Sequence, residues 1–350
     1  MGLLRRIARA RLAGHVIRRL RRAGVAEARY DARAFAVRFV QEVGDPPATV
    51  IPLDALMAHR ARNRKDHRAE VDRFVAGFLR EPGLPGRWAD VRPLLRPVLR
   101  GAVPMKDIST PLRRPALPFL SEFVVVDQPD TMTYVAVDQL PDWDVTADEV
   151  FAAARENLTG AVLRSVATDS VVVQFIDDGD TYWTSHLLLD GWLTRFAEQV
   201  GGRPVAFAPE RGTLIVTAAG GAHLPELFAR AERAYLTSPR AITPMAYVSD
   251  EQGHTVPYAV PRDHPLYGCV RRAEAVLAMQ EYARQAETLD HAAPLVLARD
   301  DVRTRAVWSE GALLPRADEV QIGEEVQPWG DLEARLQPVP GLDPPRFRLG

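Results

Sequence analysis

From residue 120 to residue 258 the chain repeats one rhythm: two β-rich runs joined by a short turn, then a single amphipathic helix. "SEFVVVD" and "MTYVAVDQL" flank "QPDT", in which Pro129 fixes φ and Asp130 tolerates the bend. Thr146 and Glu149 then form a capping box ahead of a helix whose inner face is Val150, Phe151, Ala154 and Leu158. "PVAFAPERGTLIVTA" is a further hairpin with Pro209 and Gly212 in its loop, and Pro225 opens a helix that buries Leu224, Leu227, Phe228, Ala231 and Tyr235. "AITPMAYVSDEQGHTVPYAV" adds two strands around Asp250 to Gly253. A parallel sheet needs a crossover helix between every two strands, and that order is missing, so the expected class is α+β: antiparallel hairpins with helices packed mainly on one face.

On either side of this stretch the signals are sparser. "EARYDARAFAVRFV" and "ATVIPLDAL" read as two strands around a Gly-Asp-Pro-Pro turn, followed by a helix capped by Asp66 and carrying Val71, Phe74, Val75, Phe78 and Leu79 on one stripe. Prolines at 82, 85, 93 and 97 then break the chain, which places a boundary near residue 105. A length of 350 residues accommodates two or three units. The expected division is 1–105, a helix-hairpin-helix α+β unit; 106–262, the central α+β unit; and 263–350, a C-terminal extension. That extension reads as a helix near 270–287, a hairpin from "RTRAVWSEGALLPRADEVQI", and the proline-rich tail "QPVPGLDPPRFRLG".

Charge is distributed unevenly. The first 22 residues hold eight arginines and no acid, so a formal net charge of −2 leaves −10 for the rest of the chain. Leu3, Leu4, Ile7, Val16, Ile17 and Leu20 recur at helical spacing there, which predicts a basic amphipathic helix. Its arginines, Arg5, Arg6, Arg9, Arg18, Arg19 and Arg22, are the candidate contacts to an anionic partner, either a membrane surface or nucleic acid. The bland alternative is a docking helix with solvated arginines, or arginines paired with the acids of the stretch from Asp318 to Glu333. Cys269 is the single cysteine, so no intrachain disulfide or cysteine-based zinc site can form. With no apolar run long enough for a signal peptide core or a membrane span, a cytoplasmic protein is expected.

None of the common nucleotide-binding, zinc-protease or hydrolase motifs occurs, and the eight histidines include no pair at close metal-ligand spacing. The residues that remain for chemistry are few. In "VVVQFIDDGDTYWTSHLLLDGWLTRF", Asp177, Asp178 and Asp180 precede His186; the expectation is a hairpin turn at Gly179, then a helix from Thr184 or Ser185 that carries Leu188, Trp192, Phe196 and Val200 and stops at Gly201. Asp178, Asp180 and His186 are nonetheless the candidate ligand or cation site, although the acids do not span a calcium loop. "TAAGGAHLPELF" offers a Gly-Gly turn into a helix, a weak phosphate-binding pattern. His264 and Asp263 stand near Cys269 in sequence, and Arg240 sits in a loop between two prolines.

The order of "TVIPLDAL", "PFLSEFVVVD" with "TYVAVDQL", "AARENL", "DDGDTYWTSHLL", "PVAFAPERGTLIVTA" and "RAITPMAYVSDEQG" resembles the YtpQ-like proteins, a bacterial domain-of-unknown-function family, over about residues 1–262. The resemblance implies a cytosolic bacterial α+β protein and carries no activity, catalytic residue or cofactor with it. The arginine-dense N-terminus and the segment after Pro261 depart from the family's pattern. Taken together, these features lead to the expectation of a non-enzymatic protein-interaction or regulatory module, with no metal and no cofactor, whose partner is another protein. The alternatives are a small-molecule or metal-dependent enzyme built on the aspartate-rich hairpin, and peripheral membrane or nucleic-acid binding through the N-terminal helix.

Overall fold

The computed structural model describes residues 2–22, 25, 27–40, 49–53, 56, 71, 74–75, 84–101, 110–128, 131–158, 173–176 and 182–350. The class is α+β, and the chain divides into two compact units: Met1–Val91 with Val126–Thr133, and Arg92–Val125 with Tyr134–Gly350.

In the first unit α1 (Gly2–Arg22) lies on a three-stranded antiparallel sheet, β1 (Glu27–Asp31), β2 (Ala36–Val40) and β3 (Thr49–Pro52). The expected single strand over "EARYDARAFAVRFV" is instead a hairpin of its own. Asp31 folds back on the turn, its carboxylate accepting from the amides of Arg33 and Ala34, and Phe35 takes the left-handed conformation at φ 47°. One face of α1 buries Leu12, Ala13, Val16 and Leu20 against Val37, Phe39 and Ile51 of the sheet and against Leu53, Val71 and Val75. That face is continuous because positions four apart stack on one side of a helix. The Asp66 cap lies outside the described residues.

The second unit begins with β4 (Leu95–Arg100), β5 (Arg113–Leu117) and β6 (Leu120–Gln128), in the order β4-β6-β5; the end of β6 from Val126 and all but Tyr134 of β7 (Thr131–Tyr134), which pairs with β6, are counted with the first unit. Beyond it, α2 (Ala147–Glu156) has the expected capping box: the Thr146 hydroxyl accepts from the Glu149 amide and the Glu149 carboxylate accepts from the Thr146 amide. Glu122, wholly buried on β6, is bracketed by Arg114 at 2.8 Å and Arg155 at 2.7 Å, so its charge is neutralised where water cannot reach it.

The centre of the unit is an antiparallel sheet of five strands. Its members are β8 (Val173–Ile176), β9 (Pro204–Glu210), β10 (Thr213–Ala218), β11 (Ala246–Ser249) and β12 (Thr255–Pro257), ordered β12-β11-β9-β10-β8. The β9–β10 and β11–β12 hairpins are those read from the sequence. The core formed around this sheet includes α3 (Leu224–Thr237), with all five anticipated residues buried, and α4 (Tyr267–Ala286).

Two expectations fail here. The run after residue 182 is not one α-helix but a 3₁₀ segment, Trp183–Leu188, then Leu193–Phe196 and Ala197–Val200. Gly191 at φ 68° interrupts the first turn from the second, while Gly201 at φ 72° ends the last piece as anticipated. The anticipated turn at Gly179 lies outside the described residues; beyond it Tyr182 and Trp183 form no strand, and β8 pairs with β10.

The C-terminal stretch also differs from its expected hairpin. β14 (Thr304–Trp308) and β16 (Glu319–Ile322) run parallel, inside a sheet ordered β13 (Leu295–Leu297), β14, β16 and β17 (Glu325–Pro328). Parallel pairing is possible because the intervening β15 (Leu314–Pro315) leaves that sheet to pair with β19 (Arg346–Leu349), which also holds β18 (Leu336–Pro338). The proline-rich tail is therefore folded, and Arg346 is its anchor, fully buried.

Candidate anion-binding site

Of the residues singled out by sequence, Asp178 and Asp180, with Asp177, lie outside the described residues. His186 is described and is nearly sealed, 1% exposed, between the rings of Trp183 at 5.5 Å and Trp192 at 5.1 Å. Burial among apolar rings pushes its pKa down, so the neutral ring dominates near neutral pH. The neutral ring donates from Nδ1 to the carbonyl of Tyr182 at 3.2 Å, which leaves Nε2 bare and without a partner. His186 is thus a positioning residue for Tyr182, whose backbone sits in the left-handed region at φ 45°, a costly conformation for a bulky side chain.

The other sequence candidates disperse. Arg6, Arg18 and Arg22 of α1 face solvent, Arg9 stacks over the Phe35 ring at 4.1 Å, and Arg19 is half-buried; the side chain of Arg5 lies outside the described residues. The apolar side of α1, which interfacial insertion into lipid requires, is occupied by its own sheet. At the Gly-Gly turn the Gly221 amide is already bonded to Ala218 O at 3.0 Å. His264 accepts the Leu266 amide at Nδ1, while Cys269 packs against the main core from α4. Among the described residues no group of three histidine, cysteine or acidic side chains is placed to hold a metal ion.

A different set of residues converges in the second unit. Arg100 ends β4, two residues beyond Val98, so both project from the same side of the strand. Val98 packs with Phe123 and Val125 against the rings of Tyr134 and Tyr182. Burial pushes the pKa of Arg100 down there, and the phenols of Tyr134 and Tyr182 oppose that shift. Arg211 comes from the β9–β10 turn, and its amide donates to the carbonyl of Arg240 at 3.0 Å; the neighbouring Glu210–Ala241 bridge fixes the loop after α3 against β9. Burial, joined by the positive charges of Arg100 and Arg240, depresses the pKa of Arg211 to about 10.

What distinguishes this cluster is the missing counter-charge. Elsewhere in the unit arginines meet acids: Arg271 with Asp318 at 2.9 Å, Arg272 with Glu232 at 2.7 Å, Arg305 with Glu319 at 2.6 Å. Among the described residues no carboxylate lies within ion-pair distance of Arg100, Arg211 or Arg240, and the nearby Glu210 carboxylate accepts from the Thr213 hydroxyl instead. Arg100, 6% exposed, bonds the Leu99 carbonyl through one nitrogen at 2.7 Å, yet its Nε has no acceptor, and neither does the buried Nε of Arg211. Arg346 shows what a sealed arginine looks like in the same molecule: each of its three nitrogens finds an oxygen, at Gln285, Ala293, Leu313 or Tyr282. Buried charge without a partner is costly, and donors left open in a cationic cluster are the chemistry that receives an oxyanion.

Sequence reading reached only Arg240 of this group. Arg100 and Arg211 carry a faint mark, each a charged residue just before a glycine at the end of an apolar run, "VLRG" and "PERG". Comparison with family models, with curated proteins and with solved structures returns no match.

Proposed function

We propose that this protein is a non-catalytic recognition module, acting as an adaptor or regulator in the cytoplasm, and that it engages its partner through an anionic group seated on Arg100, Arg211 and Arg240. The observation that supports this reading is the pair of buried guanidinium nitrogens, Arg100 Nε and Arg211 Nε, that lack acceptors in a cluster where no described acid comes within ion-pair distance. Arg240 is exposed and gives the cluster an opening to solvent. The single cysteine agrees with a reducing compartment. No helix among the described residues is long and apolar enough to cross a membrane.

Thermal unfolding in sodium sulfate against sodium chloride at matched ionic strength tests the reading. A ligand bound only by the native state stabilises it by about 2.7 kcal/mol at a hundred times its Kd. Sulfate is expected to raise Tm in a saturable way, and Arg240→Gln is expected to blunt the rise. Equal Tm values in the two salts at all concentrations contradict the reading.

A further inference from the structure

Three properties of the cluster narrow the class of anion, an inference that rests on the anion-binding reading above. The first is charge. Three guanidiniums that oppose one another are poorly compensated by a single negative charge, whereas a dianion removes most of the repulsion. The second is shape. A planar guanidinium presents parallel donors, and a phosphate group has three peripheral oxygens to share among three such forks approaching from β4, the β9–β10 turn and the loop after α3. A carboxylate has only two oxygens, both in one plane, and carries one negative charge.

The third is access. Arg100 is buried, Arg211 half-buried and Arg240 exposed, so the three members differ in their access to solvent. Outside its first 22 residues the chain carries a formal charge of −10, which repels an extended polyanion. A single terminal group can reach the base of such a site; a nucleic-acid backbone, with its charge in a continuous row, cannot. Tyr134 and Tyr182 add phenol rims, and the hydrogen bond from His186 to the Tyr182 carbonyl holds one of them in place.

We propose that Arg100, Arg211 and Arg240 bind the dianionic phosphate of a monoester, with Arg100 at the base and Arg240 at the mouth. Such a group occurs on a phosphorylated side chain of a protein partner and on a small phosphorylated metabolite.

Isothermal titration of the full chain with four probes tests this: N-acetyl-phosphoserine amide, glycerol 3-phosphate, sodium sulfate and sodium acetate, at about pH 7.5 and about pH 5. The monoester's second proton binds near pH 6, so most of it is a monoanion at the lower pH, while sulfate keeps both charges. The monoesters are expected to bind at least about tenfold more tightly than acetate and to weaken several-fold relative to sulfate at the lower pH. Arg240→Gln, whose fold is checked by circular dichroism, is expected to lose about tenfold or more for both monoesters, and Arg240→Lys, which keeps the charge without the fork, to lose less. Between the two supporting arms, tighter binding of the phosphoserine probe assigns the site to a phosphorylated protein, and tighter binding of glycerol 3-phosphate assigns it to a metabolite. Acetate within about threefold of the monoesters, or a monoester affinity that follows sulfate across pH, overturns the phosphate assignment and leaves the anion site standing. If none of the four binds, both fall together.

Discussion

Arg211 and Arg240 are joined backbone to backbone, amide to carbonyl at 3.0 Å, yet no described carboxylate meets either guanidinium. The positive charges of Arg100 and Arg240 both disfavour the charge of Arg211, and no described acid offsets them. An arrangement that costs stability in the empty protein is what an unfilled binding site looks like.

Removing one of these charges is therefore expected to stabilise the empty protein. The pKa of Arg211 is held at about 10, below its ordinary value, so the native state disfavours the bound proton. At every pH below about 10 the charge works against folding, and this fades only as pH rises past that value. Arg211→Gln should raise Tm by roughly 1–3 °C in anion-free buffer at neutral pH and should abolish the sulfate-dependent rise. A lower Tm for the variant in anion-free buffer contradicts the account of an uncompensated cluster.

His186 has the same sign of pH dependence in a lower pH window. Burial lowers its folded pKa below the ordinary value of about 6.5. The unfolded chain then takes up a proton that the native state refuses, so the contribution is full above about pH 6.5 and is lost as pH falls through that value toward the folded pKa. Urea midpoints of the wild type are expected to drop between about pH 7.5 and pH 5.5, by up to about 1.4 kcal/mol per pH unit, and His186→Phe should flatten that drop. Identical pH profiles for the two proteins would show that the ring is already charged in the native state.

Arg346 supports the C-terminal fold by satisfaction, not by pairing. Its guanidinium feeds Gln285 Oε1 at 2.6 Å and the carbonyls of Ala293, Leu313 and Tyr282, and it stacks over the Tyr282 ring at 5.2 Å. Arg346→Leu strands three buried carbonyls, each costing about 1–3 kcal/mol, so a loss of about 3–5 kcal/mol is expected in urea unfolding. A change under about 1 kcal/mol would mean that water takes over those acceptors.

Much of this architecture is legible in the amino-acid sequence, and the reason is local. Thr146 and Glu149 cap a helix through bonds made within four residues, and the apolar stripe of Leu224, Leu227, Phe228, Ala231 and Tyr235 needs only a surface to cover it. Where distant partners decide, local pattern misleads. Leu188, Trp192, Phe196 and Val200 keep helical spacing, but Gly191 turns left-handed between them, and its amide bonds Gly253 O at 2.9 Å, a partner far along the chain. β14 and β16 alternate as a hairpin would, and only β19, drawing β15 away, shows why they run parallel. The arginine site is the extreme case. Its three members stand 111 and 29 residues apart in "VLRG", "PERG" and "SPRA", and nothing local distinguishes them from surface arginines.

Nitrogen-15 NMR of arginine side chains observes the Arg100 and Arg211 Nε–H groups directly. Inorganic phosphate would be titrated into the labelled full-length protein at about pH 7.5, with the Arg100 and Arg211 Nε–H signals assigned from Arg→Lys variants. The account predicts that both signals shift together, saturate at one site, and stop responding in Arg240→Gln. Signals that stay fixed as phosphate is added, or that move without saturating, would contradict it.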